Sequence, residues 1–185
     1  MIHAREIEVK YRVSDAADMD LALATRGLVL SPPVQQDDQA YAPHGWSYGM
    51  SKQGVPFARL RTQDGRHLFT LKRPTDNEQA CLEFETEVAD RDQMHQAILH
   101  MGLSPTVRIV KTRRTARLGE LTLCLDEVDH LGAFLEIERV IPPGRSGAAV
   151  QAELDAFARS LNVELERTTD TYDSLLRAAV AGANR

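Results

Sequence analysis

"REIEVKYRV", residues 5–13, alternates charged and apolar side chains: Glu6, Glu8 and Lys10 against Ile7, Val9 and Tyr11. Side chains two apart on a strand share a face, so the three charges point one way and the three apolar groups the other. The usual arrangement buries the apolar row and leaves the charges in water. The alternative turns the charged row inward, and one strand does not choose between them.

The same alternation returns along the chain. In FARLRT, residues 57–62, Arg59 and Arg61 share a face opposite Ala58 and Leu60; in HLFTLKR, residues 67–73, Lys72 lies with Thr70 and opposite Phe69 and Leu71. CLEFETEV, residues 81–88, groups Glu83, Glu85 and Glu87 against Leu82 and Phe84. VRIVKTRRT, residues 107–115, contributes Lys111 and Arg113; ELTLCLDEV, residues 120–128, sets Asp126 opposite Leu121, Leu123 and Leu125; AFLEIERVI, residues 133–141, aligns Glu136 and Glu138. If every charged face met solvent, the apolar rows would share one core, as in a sandwich or a helix-covered sheet. That arrangement accounts for the acidic rows but gives basic pairs no reason to recur with acidic ones. A closed or nearly closed barrel with a charged lumen, its apolar rows facing outward against helices, supplies the reason. Such a lumen is intolerable when dry; it becomes stable where opposite charges pair, water enters, or a polyanion and a divalent metal complete it.

Composition narrows the ligand. The 185 residues, 43% of them apolar, suit one globular domain spanning residues 1–185. A net charge of −5 gives no global attraction to nucleic acid or to an anionic membrane surface, so an anionic partner must be held by local cations and is expected to be small. Cys81 and Cys124 lie in strand-like runs without metal-site spacing and read as reduced thiols. No signal-like segment precedes the first charged strand and no apolar run approaches the roughly 18 residues of a membrane span, so the expected location is the cytoplasm. The six histidines, His3, His44, His67, His95, His100 and His130, show no paired spacing for a metal or a triad.

Three segments carry helical patterns: one capped by Ser14 or Asp15 and running to Arg26, one capped by Asp90 and ending before Gly102, and one from about Ala148 to Leu161 after the linker PPGRSG. The tail from Tyr172 to Ala179 adds a turn or two, and Asp64-Gly65 marks a hairpin.

The charged inventory then describes a ligand. Lys10, Arg59, Arg61, Lys72, Lys111 and Arg113 suit a molecule of about four negative charges, with guanidinium forks matching phosphate oxygens. Triphosphate fits. Glu6, Glu8, Glu136 and Glu138 are hard oxygen donors, suited to Mg2+ or Mn2+ rather than to zinc or iron. The chain has no Walker-type loop and no dinucleotide fingerprint, so side chains must hold the phosphates.

The Glu6-x-Glu8-x-Lys10 signature, followed in order by ARLR, TLK, EFE, KTR, LDEV and LGAFLEIE, resembles the CYTH family of triphosphate tunnel enzymes over almost the whole chain. Within it the chain looks most like the short bacterial class IV adenylyl cyclases, TYDSLL at residues 171–176 included. The resemblance implies an α+β fold: an eight-stranded antiparallel β-barrel packed by about three or more helices. It implies phosphate contacts from Lys10, Arg59, Arg61, Lys72, Lys111 and Arg113, one metal on Glu6, Glu136 and Glu138, and Glu8 serving a second metal or its surroundings. Asp126, Glu83 and Glu85 would orient the basic side chains or the ligand; Glu8, Lys10, Arg113 and Asp126 stand as the catalytic set. Two positions depart from the family pattern. QQDDQAY puts Ala40 where an aromatic is common and Tyr41 one place later, which a bulge would restore, and Cys81 and Leu82 precede Glu83 where arginine is common.

One tunnel admits two chemistries. A cyclase brings the ribose hydroxyl of ATP onto the α-phosphorus and releases pyrophosphate; a triphosphatase brings water onto the terminal phosphorus of thiamine triphosphate, a nucleoside triphosphate or tripolyphosphate. The resemblance favours the cyclase. A non-catalytic triphosphate binder is the reading of a different class, and the number of metal-type acids argues against it. Trp46, Tyr48 and Phe57 are candidates to stack on a base, or else pack against a helix. A homodimer is compatible with all of these readings.

Overall fold

The structure is a computed structural model that describes residues 5–142 and 144–183. His3 and, in the linker, Pro143 lie outside the described residues. Among the described residues nine strands are formed: β1 (Arg5–Val13), β2 (Val34–Pro43), β3 (Phe57–Gln63), β4 (Arg66–Asn77), β5 (Ala80–Val88), β6 (Leu103–Leu118), β7 (Leu121–Val128), β8 (Gly132–Ile141) and β9 (Leu165–Thr168). Four helices accompany them: α1 (Ala16–Ala24), α2 (Arg91–His100), α3 (Gly147–Ser160) and α4 (Tyr172–Ala183). The strands run β5-β4-β3-β2-β6-β7-β8-β1, every pairing antiparallel, and a β1–β5 pairing closes the ring into an eight-stranded barrel.

The closure is shared. Arg5, Glu6 and Ile7 pair with Leu82, Cys81 and Ala80 of β5, whereas Lys10 to Val13 on the same edge of β1 pair with β9. The Glu8 amide donates to the Gln79 carbonyl at 2.9 Å between these two partners. Strand β9 is a ninth member that the alternation pattern does not announce.

The main apolar core lies outside the barrel wall. Ile7, Val9, Leu123, Leu125, Leu135 and Ile137 pack with Val150, Leu154 and Ala158 of α3 and with Met19 and Leu23 of α1. A second cluster joins Ile98 of α2 to Ala58 and Leu60 of β3. These are the residues opposite the charges in each strand, so the charged rows face the lumen. Ile7, Val9 and Lys10 are all buried, because helices cover one face of β1 and the tunnel encloses the other. This also explains the uniform parity: a one-residue slip would exchange the helix-facing and lumen-facing rows along a whole strand.

Local signals place the connections. The carboxylates of Asp15 and Asp90 accept from the first free amides of α1 and α2, and Gly27 and Gly102 follow those helices with positive φ. Asp64 and Gly65, at φ 49° and 71°, make the tight turn between β3 and β4. Helix α4 is longer than the turn or two expected of the tail. Its first residues enter the end of the barrel, where Tyr172 and Leu176 meet Ile109, Val128 and Phe134, apolar residues in the same rows as Lys111, Asp126 and Glu136. No described helix is long and apolar enough to cross a membrane.

Candidate active site

The lumen forms a cavity of ≈ 330 Å3 whose wall carries Glu6, Glu8, Lys10, Arg59, Arg61, Lys72, Glu83, Glu85, Lys111, Arg113, Glu136 and Glu138. Every phosphate, metal and tunnel-acid candidate read from the sequence therefore lines one space. Asp126 sits immediately behind it.

The cations are positioned by carboxylates. Asp126, fully buried, accepts from Lys111 Nζ at 2.7 Å, from Arg113 Nε and Nη2 at 2.6 Å each and from the Tyr172 hydroxyl at 2.9 Å. Arg113 also donates to Glu136, whose other oxygen is 3.2 Å from Lys10 Nζ. Arg61 donates two bonds, 2.7 and 2.8 Å, to Asp38. Arg59 meets Glu85 at 3.0 Å, and Lys72 meets Glu83 at 2.8 Å and Glu6 at 3.7 Å. Asp126 thus acts through Lys111 and Arg113 rather than facing a ligand itself.

The acids divide into two kinds. Burial would raise the carboxyls of Asp38 and Glu83, but the Arg61 fork on one, and Lys72 with Arg59 on the other, hold both at about 2. Glu136 is likewise kept well below the usual range by Lys10 and Arg113, which outweigh its burial. Glu6 and Glu138 move the other way, to about 8 and about 7, through burial first and then the neighbouring carboxylates, against Lys72 and Arg113 respectively. Glu6, Glu8 and Glu138 offer oxygens all within 4.8 Å of one another. Like charges gathered this closely require protons or a cation, and three hard oxygens suit a divalent ion of the magnesium type. Glu136, expected in the metal set, is instead engaged by Lys10 and Arg113.

The cavity wall carries seven lysines and arginines and nine acids, two of which, Glu6 and Glu138, are raised above the usual carboxylate range.

Four wall or near-wall residues went unread. Asp38, the acid of the QQDDQAY segment, was given no role because β2, VQQDDQAYAP, shows no charge alternation. Gln36, hydrogen-bonded to Gln63 at 2.8 Å, is a neutral member of the same row. Tyr172 places its ring 4.2 Å from Lys10 Nζ and 4.8 Å from Lys111 Nζ; TYDSLL was the available signal. Lys52 stands in a connection without periodicity. Of the aromatic candidates, Trp46 and Phe57 line the cavity in edge contact at 5.0 Å, whereas Tyr48 lies in a neighbouring cavity beneath Arg177. A bulge interrupts β2 between Gln39 and Tyr41, and Tyr41 reaches the cavity wall, its phenol bonding to His95 of α2 at 2.7 Å and its ring joining the Leu60–Ile98 cluster. Cys81 and Cys124 are free and buried as expected, and Cys81 lies on the cavity wall, burial pushing its thiol up to about 12.

The sequence pattern of the CYTH domain matches residues 4–172. A Methanocaldococcus jannaschii protein whose name proposes an adenylate cyclase is 23% identical over 160 residues, 85% of this chain and 90% of its own. A solved Pyrococcus horikoshii protein superposes with a TM-score of 0.77 at 23% identity, covering 94% of this chain and 98% of that one. A Hippeastrum protein, described as a proposed adenylyl cyclase with a dominant triphosphatase activity, gives 0.62 at 18% identity, over 95% of each chain.

Proposed function

Because this chain belongs to the CYTH domain family, whose members are adenylyl cyclases or triphosphatases, we propose that it is a metal-dependent enzyme acting on triphosphates, converting ATP to cyclic AMP and pyrophosphate. The observation that carries the reading is the meeting, in one cavity, of the cation rows with the Glu6, Glu8 and Glu138 trio.

Arg59, Arg61, Lys72, Lys111, Arg113 and Lys10 bind and align the phosphate chain, the three guanidinium forks fixing the direction of its oxygens. Glu6, Glu8 and Glu138 would hold Mg2+ or Mn2+, which when bound neutralises charge on the transferring and leaving phosphate oxygens. Lys10 and Arg113, each carrying a carboxylate partner in the free protein, exchange it for phosphate as the ligand enters. Asp126 keeps Lys111 and Arg113 aimed while they do so. Covering the site also removes water, which strengthens each of these charge contacts.

The second reading is hydrolysis of the terminal phosphate, which the Hippeastrum neighbour's described activity favours. Incubation with ATP, thiamine triphosphate and tripolyphosphate, each with magnesium or manganese, followed by chromatography of the products, separates the two. Cyclic AMP and pyrophosphate are expected; nucleoside diphosphate and phosphate would assign the hydrolase, and no product from any of the three would overturn both.

A further inference from the structure

The barrel closes at a fork. Along one edge of β1, β5 pairs with Arg5 to Ile7 and β9 with Lys10 to Val13, and Glu8 falls between the two paired stretches. Alternate residues of a strand turn their amide and carbonyl to the same edge, so those of Glu6, Glu8 and Lys10 face this seam while their side chains face the lumen. Glu6 pairs there with Cys81 and Lys10 with Thr168. Glu8 meets a turn and a helix instead: its amide donates to the Gln79 carbonyl at 2.9 Å, and its carbonyl accepts from Gln151 Nε2 of α3 at 3.1 Å.

Gln151 is itself held in place. Asn77 Nδ2 donates to Gln151 Oε1 at 3.0 Å, while Asn77 Oδ1 accepts from the Gln79 amide at 2.9 Å and from Gln151 Nε2 at 3.3 Å, so one asparagine joins both halves of the clamp on Glu8. One helical turn earlier, on the same face of α3, the Gly147 amide donates to Asp76 at 3.3 Å, and Asp76 also accepts from Arg5 Nη1 at 2.8 Å. A Cβ at Gly147 would stand 2.7 Å from that Asp76 oxygen, so the glycine permits the approach that brings Gln151 over the seam. A backbone carbonyl in a barrel wall needs a donor, and among the described residues neither β5 nor β9 pairs in register with Glu8.

The consequence falls on the clustered acids. Glu6 is set by its pairing with Cys81 and Glu138 by its pairing with Thr122, whereas Glu8 completes the trio from the fork. We propose that Gln151 is a positioning residue for the metal site: from outside the barrel it fixes the Glu8 backbone, and through it the distance of the Glu8 carboxylate from those of Glu6 and Glu138. The proposal rests on the divalent-cation part of the function proposed above and extends it to a side chain that is not on the cavity wall. A shift of the Glu8 backbone at the fork would spread oxygens that now lie within 4.8 Å of one another, and a divalent ion of the magnesium type tolerates little departure from its preferred geometry.

The test compares the intact protein with Gln151→Met, which keeps the length of the side chain without its donor, with Asn77→Ala, which releases Gln151, and with Leu154→Ala, which weakens the same helix without touching the fork. In Gln151→Met the carbonyl carbon resonance of Glu8 should move upfield, and the Glu8 amide should exchange about tenfold faster, with that of Leu135 unchanged. Calorimetric affinity for Mn2+ alone should fall about tenfold or more, while tripolyphosphate affinity in the presence of a chelator should stay at the wild-type value. Leu154→Ala should keep both affinities. Asn77→Ala should move the same readouts in the same direction, and decides the matter if Gln151→Met does not fold. An unchanged Glu8 resonance and exchange rate, an unchanged Mn2+ affinity, or an equal loss of Mn2+ affinity in Leu154→Ala would overturn the positioning role. A wild type that binds no divalent ion would refute the metal reading instead, and the carbonyl and exchange data would still decide whether Gln151 holds the fork.

Discussion

Glu6 and Glu138 retain protons at pH values where Asp38 and Glu83, in the same lumen, have none. The cause is the partner: a guanidinium or ammonium in contact for the second pair, mainly burial and neighbouring carboxylates for the first. A carboxyl whose folded-state pKa is raised contributes stability present below its unfolded value of 4.5 and lost as pH rises through about 7 and 8. On the proposed reading a divalent cation would replace those protons. Calorimetric affinity for Mg2+ or Mn2+ should therefore rise about tenfold or more between about pH 6 and about pH 9, with proton release, and Glu138→Gln should flatten the profile. Equal affinity at both ends would remove Glu6 and Glu138 from the metal site. Asp126→Asn should leave metal affinity near wild type while weakening triphosphate binding about tenfold or more, because Lys111 and Arg113 lose their common anchor. Unchanged triphosphate affinity in that variant would contradict its positioning role. At this scale the sequence was informative wherever charge alternated with apolar residues, as in β1, β5 and β8. It assigned no role to Asp38, within a polar strand, or to Lys52, whose partners Thr171, Asp173 and Ser174 lie more than a hundred residues away.

Elements with strong local signals were readable: Asp15 and Asp90 as caps, Asp64-Gly65 as a turn, and the helical spacing of Val150, Leu154 and Ala158. Asp90→Ala should cost about 1 kcal/mol of stability in chemical denaturation and leave phosphate binding unchanged, since α2 packs outside the barrel. Leu154→Ala, opening a void beneath α3, should cost about 3 kcal/mol, again with little effect on the site. A loss of affinity as large as the loss of stability in either variant would show that wall and lumen are not separable. The weakly signalled elements were β9, only four residues long, and the full extent of α4. Both are fixed by tertiary contact: β9 by the half of the β1 edge that β5 leaves, and α4 by the apolar rim of Ile109, Val128 and Phe134.

Taken whole, the molecule is a barrel with its main apolar core on the outside and its ion pairs within. The eight-stranded ring follows from repetition, since one strand with inward charges would be intolerable and eight can neutralise one another. The same repetition made the candidate site readable before the fold, because the rows that define the lumen are the rows proposed to bind. What repetition could not convey is which acid serves which cation; Glu136 went to Lys10 and Arg113, and the metal-type trio formed without it. Since a phosphate chain would tie several strands together, tripolyphosphate with Mg2+ should raise the melting temperature by several degrees, and either one alone by less. Equal shifts with and without the metal would speak against a shared site. The most direct measurement is calorimetric titration of tripolyphosphate in Mg2+ into the wild type and into Arg113→Ala. The inward-facing site predicts one site per chain, with affinity about a hundredfold weaker once the Arg113 fork is gone; no binding to the wild type, or the same affinity in both proteins, would contradict it.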